Sequence, residues 1–418
     1  MRILQGAAAA RYVRKLEQRG QKLDGLEPQV RRIVQSVRKN GDRALRRYAA
    51  RWDGLSSGDS LGVSGLRVLE SEMQSALNGV SRHLRAAMED AAERIRKFCE
   101  WQKITERERS KQGRRLGQLV RPLGSAGCYV PGGRYPLPST LLMTVIPAQV
   151  AGVKDIRVVS PRPAPATLAA AALLGVREFY RVGGAQAIAA LAYGTKTIAR
   201  VDKIVGPGNL FVTTAKKIVA FDCAIDFLAG PTEGLILCDD GNPAFIASDL
   251  VAQAEHDPEA LVLLITQSRK LAGEVSRSVA ALSRGNSIAR QALQKHGAVL
   301  LAGSRTQAID WANLIAPEHL TTTRKNLPEI TSAGSIFLGD YSAQAAGDYG
   351  SGPNHVLPTA GAARFRGGLS VNDFLKIITV QDLSRTGLRR ISPSIVAMAE
   401  AEGLRAHAQS IQLRSGHA

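Results

Sequence analysis

Apolar residues in the first quarter of the chain recur at helical spacing. Val30, Ile33, Val34, Val37, Leu45 and Tyr48 mark one such face, and the pattern predicts helix between Leu26 and Trp52. A second helical region spans about Glu70 to Lys103. Residues 1–24 read as a short polar lead, and Thr105–Arg115, polar and basic, reads as a loop. At Leu116 the pattern changes. Short apolar runs predict strands at Gly127–Val130, Ile156–Val159, Phe179–Val182, Lys203–Val205, Leu235–Cys238, Leu261–Thr266, Ala298–Leu301 and Ser335–Leu338. Helical patterns such as Leu141–Ala151, Pro165–Leu174 and Gln186–Tyr193 lie between them. This alternation implies an α/β class with parallel sheets covered by helices on both faces, and the units are too many for one small sheet. Two α/β domains are expected, with helix again beyond Leu369.

Length supports that division, because 418 residues exceed the usual size of one core. A hydrophobic content of 44% with 22% charged residues is that of a globular protein. No apolar run approaches the roughly 18 residues needed to span a bilayer, so no membrane partner is expected. The N-terminus shows no credible signal peptide. Cys99, Cys128, Cys223 and Cys238 follow no CxxC spacing, which suits a reducing cytoplasm. The net charge of +19 raises nucleic acid as a partner. The basic residues are spread along the chain, however, and no aromatic stacking platform lies between them. A solvated surface that attracts anionic ligands is the simpler reading.

No GxGxxG fingerprint follows any predicted strand. Instead Gly132-Gly133, Gly183-Gly184 and Gly206-Pro207-Gly208-Asn209 sit where strands give way to helices. Each alone is ordinary turn chemistry. Three at equivalent positions suggest one nucleotide crevice at helix N-termini, flanked by Tyr129, Gln186 and Asn209. Further on, Asn242-Pro243 starts a helix that ends in Gln253-Ala254-Glu255-His256. Gln253 and His256 are three apart and share a face, so they suit two legs of a metal site or a plain helix end. Ala316-Pro317-Glu318-His319-Leu320 sets a carboxylate beside an imidazole at the start of an extended segment. The loop from Gly347 to Pro358 holds Asp348 and His355, and Glu402-Gly403-Leu404-Arg405-Ala406-His407 closes the chain with one more acid and histidine.

Together with Tyr129-Val130-Pro131-Gly132-Gly133 and Gly183-Gly184-Ala185-Gln186-Ala187, these motifs resemble the histidinol dehydrogenase family, over essentially the whole chain. The resemblance implies two incomplete Rossmann-like domains, one inserted in the other. Residues 1–24 would be an N-terminal segment, 25–128 with 235–370 the larger domain, 129–234 the inserted NAD-binding domain, and 371–418 a tail reaching the partner of a homodimer. It implies zinc on Gln253, His256, Asp348 and His407, a donor set suited to Zn²⁺. It makes Glu318 and His319 the catalytic pair. His319 would take the alcohol proton, at an ordinary imidazole pKa of about 6.5, and Glu318 would activate water. It gives NAD⁺ contacts to Tyr129, Gln186 and Asn209, and substrate contacts to Thr232, His355 and Glu402 besides the zinc and catalytic residues. Position 232 is often serine in relatives, and threonine keeps the hydroxyl.

The implied reaction oxidises L-histidinol to L-histidine through a bound aldehyde, with one hydride to NAD⁺ at each of two steps. A rival within the scaffold is a relative acting on another alcohol, such as a sulfonated diol, but His355 and Glu402 suit a cationic substrate. Adjacent residues of an extended segment point opposite ways, so Glu318 and His319 need a local bend to face one substrate. His83, His296 and His417 receive no role, and Cys128 reads as a buried structural thiol.

Overall fold

The computed structural model describes residues 1–20, 23–55, 63–132 and 136–416. Gly133 and His417 lie outside them. In chain order the strands are β1 (Arg2–Gln5), β2 (Arg107–Lys111), β3 (Arg114–Pro122), β4 (Ser125–Tyr129), β5 (Asp155–Val159), β6 (Glu178–Tyr180) and β7 (Lys203–Val205). They continue with β8 (Ala224–Ile225), β9 (Glu233–Leu237), β10 (Leu261–Thr266), β11 (Ala298–Leu301), β12 (His319–Thr322), β13 (Ser335–Leu338) and β14 (Leu375–Leu383).

They form a five-stranded sheet of order β6-β5-β4-β7-β8 and a six-stranded sheet of order β1-β11-β10-β9-β12-β13. Every pairing in these two sheets is parallel. Numbered within its own unit, each sheet runs third, second, first, fourth, fifth. That is the dinucleotide-fold order without its sixth strand, and β1 extends the larger sheet beyond β11. The parallel strands are covered on both faces, so they read as unbroken apolar runs: β9 and β10 are buried at every position. Each of the eight predicted strands falls on an observed one.

Three expectations are corrected. The polar lead is β1 followed by a helix, Gly6–Glu17, whose Ala9, Val13 and Leu16 are buried. Its small alanines carry little apolar signal. Thr105–Arg115 contains β2 and the start of β3, a hairpin that turns at Gln112 and Gly113, both with positive φ. The region after Leu369 holds a short 3-10 helix, Val371–Phe374, and then β14, paired antiparallel with β3 over its whole length, before the helices Arg385–Ala401 and Arg405–Ser415. β14 buries neither face, so no alternation marks it.

The helices before β2 pack differently from the expected grouping of 25–128 with 235–370. Val30, Ile33, Val37 and Leu45, on helices Glu27–Asn40 and Asp42–Trp52, join Ile188, Leu191 and Val212 against the five-stranded sheet. Met73, Met88 and Ile95 join Leu141 and Met143 on its other face. An amphipathic face records that it is buried but not against which sheet. Leu45→Ala, at a fully buried position, is expected to cost about 2–5 kcal/mol. Hydrogen exchange should quicken in β7 and stay unchanged in β10. Equal acceleration of both sheets would contradict this assignment.

Candidate active site

Two sets of candidate residues gather at opposite strand ends. At the C-terminal ends of the five-stranded sheet, Tyr129, Gln186 and Asn209 line one cavity of about 310 Å³ with Trp52, Asp53 and Arg162. The buried Tyr129 hydroxyl accepts the Gly184 N–H at 3.1 Å. Gln186 Nε2 donates to Asp53 Oδ2, also at 3.1 Å, and the same oxygen accepts the Gly183 N–H. Burial raises the Asp53 carboxyl above its ordinary range, against these two hydrogen bonds. Asn209 Oδ1 caps the helix Leu210–Val219 through the Phe211 and Val212 N–H groups. Its amide nitrogen is therefore the end left for a ligand. Gly206, at φ +111°, lies so close to Tyr129 that a Cβ would meet the Tyr129 carbonyl oxygen at 2.1 Å. Its N–H is held by Asp226 at 2.7 Å, and its carbonyl accepts from Lys216 at 2.9 Å.

The catalytic candidates meet at the N-terminal ends of the six-stranded sheet. Ala316 ends the helix Arg305–Ile315 in a left-handed conformation, and Pro317 turns the chain into β12. This supplies the bend the Glu-His pair requires. Glu318 Oε2 accepts the Glu233 N–H at 3.0 Å and stands 3.6 Å from His319 Nδ1. His319 Nε2 stands 3.4 Å from Asp348 Oδ1. Both are ion-pair separations, longer than a good hydrogen bond. The ring stacks against Phe337 at a centroid distance of 5.9 Å. Burial alone pulls the imidazole pKa down, but Glu318 and Asp348 outweigh it and push it up to about 10. In the metal-free chain His319 is thus not the ordinary imidazole expected. Burial opposes ionisation of Asp348 as well, yet His319, His355 and His256 hold it below the usual carboxylate range.

Glu233 lies beside this pair. Burial raises its carboxyl, while Arg19 grips it with two contacts at 2.8 and 2.6 Å. Gln253, on the last turn of the helix Pro243–Ala254, is buried, and neither atom of its amide has a hydrogen-bond partner among the described residues. His256 is exposed just beyond that helix, with Nδ1 3.0 Å from the Ala252 carbonyl, which leaves Nε2 for a ligand. His355 Nδ1 lies 2.7 Å from the Asp348 carbonyl, with Thr140 Oγ1 3.3 Å from Nε2. Burial lowers the His355 pKa, against the pull of Asp348. Thr232 and His256 share a second cavity of about 310 Å³ with Asn209, so this space runs from the cavity at Tyr129 and Gln186 toward the candidate metal ligands. His319 and His355 line a further cavity of about 440 Å³ with Phe337, Gly347 and Tyr341.

Glu402 and His407 stand apart. Both are exposed on the C-terminal helical segment. Among the described residues, no three His, Cys, Asp or Glu side chains of one chain assemble a metal site. Gln253, His256 and Asp348 are neighbours, and His407 does not join them within the chain. Cys128 is buried, and burial pushes its thiol up to about 12, which removes it as a nucleophile. Asp53 and Arg19 belong to no motif, and only the fold brings them to these sites, whereas Glu233 directly follows Thr232 in Gly230-Pro231-Thr232-Glu233.

A profile of the histidinol dehydrogenase family matches residues 16–415. Histidinol dehydrogenase of Methanothermobacter thermautotrophicus is 46% identical over 91% of this chain and 92% of its own length. That of Geobacter sulfurreducens is 48% identical over 91% of both. The crystal structure of histidinol dehydrogenase from Elizabethkingia anophelis superposes with a TM-score of 0.92 at 38% identity, covering 99% of this chain and 98% of that one. A match over nearly the whole length, with the same sheets, leaves one conclusion: the chain belongs to the histidinol dehydrogenase family and is an oxidoreductase of histidine biosynthesis.

Proposed function

We propose that this chain oxidises L-histidinol to L-histidine in two NAD⁺-linked steps, with Zn²⁺ bound, as a homodimer whose two sites are shared. One observation carries the reading: buried Glu318 and His319 and half-buried Asp348 converge beside the Gln253 amide, which has no hydrogen-bond partner among the described residues, and beside His256, and the cavity at His256 continues to Asn209.

The donors fit zinc. Gln253 offers a buried amide oxygen without a partner, His256 a free Nε2 and Asp348 a carboxylate. His407 of the partner subunit would complete the set. Zinc held there would supply a redox-inert Lewis acid that helps to orient the substrate. The chain's own residues do the rest. His319 takes the alcohol proton as hydride leaves for NAD⁺. Glu318, fixed by the Glu233 N–H, takes a proton from the water that hydrates the aldehyde, and the hydrate gives the second hydride. Thr232 and His355 line the substrate, and Glu402 of the partner subunit would meet it from the other side. Tyr129, Gln186 and the amide nitrogen of Asn209 hold NAD⁺.

The dimer reading rests on surface chemistry. Ile377, Ile378 and Val380 of β14 are exposed, as are Met398, Leu404 and Leu413 on the same C-terminal segment as Glu402 and His407. Apolar surface of this kind marks an interface. A cytoplasmic location suits the four free thiols.

With L-histidinol and excess NAD⁺, two NADH per substrate are expected, with activity lost to a chelator and restored by Zn²⁺. One NADH per substrate, or indifference to chelation, would sink the proposal. A second expectation concerns His319. Its pKa in the metal-free fold lies above the unfolded value of about 6.5. Its contact with the two carboxylates therefore stabilises the fold fully below pH ~6.5 and is lost as pH rises through about 10. A cation on Asp348 takes up part of that carboxylate's field, so NMR titration should find the His319 pKa lower with zinc than without. Identical curves would argue against Asp348 as a ligand.

A further inference from the structure

Three buried amide atoms without hydrogen-bond partners are concentrated at one place: both polar atoms of Gln253 and Oε1 of Gln344. Each side chain is 1% exposed. They pack over Gly234, where a Cβ would lie 2.9 Å from Gln253 Cγ and 3.2 Å from Gln344 Oε1. Orphaned buried polar atoms are rare in folded proteins, and each calls for an explanation. The other end of Gln344 is already committed, because its Nε2 donates to Thr321 Oγ1 at 3.0 Å. Its Oε1 is therefore the end turned toward Gly234 and Gln253. Gln344 also opens the helix Gln344–Tyr349, so Asp348 lies four residues on, along the same face.

An amide differs from a carboxylate as a cation ligand because it has a wrong end. An NH₂ group turned toward a cation repels it, and nothing within the Gln253 side chain chooses between the two orientations. We infer that Gln344 is a positioning residue for the cation site: with a cation bound, its Oε1 would accept the Gln253 Nε2–H, a bond that neither atom makes in the present arrangement, so that Gln253 presents its oxygen. Thr321 fixes Gln344, Gln344 fixes Gln253, and the missing side chain at Gly234 leaves room for the two amides to meet. Outer hydrogen bonds of this kind orient ligands and tune metal affinity. The inference rests on the proposed zinc reading of Gln253.

The test uses the full-length protein with Co²⁺ in place of zinc, without histidinol or NAD⁺. Visible absorption and competition with a chelator report the affinity. Gln344→Leu should weaken Co²⁺ binding by about tenfold to a hundredfold. Gln344→Glu should stay close to the parent, because a carboxylate still accepts from Gln253 and from the Thr321 hydroxyl. Gln344→Leu also gives up the Thr321 hydrogen bond, so the metal-free melting temperature of both variants is measured alongside, to separate a loss of fold from a loss of affinity. Unchanged affinity in Gln344→Leu, or equal loss in both variants, overturns the inference while leaving the site itself in place. Failure of the zinc reading looks different: the parent then binds no Co²⁺, or Gln253→Leu binds it as tightly as the parent, and the inference falls with it.

Discussion

A buried imidazole held between two carboxylates is the constraint on which the rest of the site depends. His319 is 3% exposed, with Glu318 on one side and Asp348 on the other. Removing three ionisable groups from water is costly, and such a cluster persists only if its geometry is over-determined. The chain supplies that determination from several directions. Ala316 bends the entry to β12, the Glu233 N–H fixes Glu318, and Arg19 offsets the charge of Glu233. The short helix Gln344–Tyr349 brings Asp348 to the far side of the ring.

Sheet topology explains why this cluster lies near the cavity lined by Tyr129, Gln186 and Asn209. The two sheets repeat one strand order, but they present opposite ends to the site. The five-stranded sheet offers the C-terminal ends of β4, β6 and β7, with their glycine turns. The six-stranded sheet offers the N-terminal ends of β9 and β12. The chain passes from one to the other through Gly230-Pro231-Thr232, so Asn209 and His256 face a common cavity.

Legibility in the sequence followed burial. Strands enclosed on both faces were plain as apolar runs, and all eight predicted ones exist. β14 could not be read this way, because it is held by its ladder to β3 and buries neither face. The assignment of Val30, Ile33 and Leu45 to the five-stranded sheet was equally hidden, since helical spacing names a face and not its partner. Of the site, Glu318-His319 and Gln253-His256 stood out because each pair is local in sequence. Asp53, Gln344 and Arg19 are single polar residues whose neighbours come from distant segments, and no spacing announces them. His407 is the reverse case: resemblance singled it out, and within one chain it meets none of the other ligands.

That separation makes the shared site the central claim, and mixing two inactive variants tests it most directly. His256→Ala removes a ligand from the body and His407→Ala one from the tail. Unfolded together and refolded, the two chains would form mixed dimers in half of the assemblies, each with one site built entirely from intact residues. Recovery of about a quarter of wild-type activity is expected. A mixture no more active than its two parents would mean that each chain completes its own site, and would contradict the account.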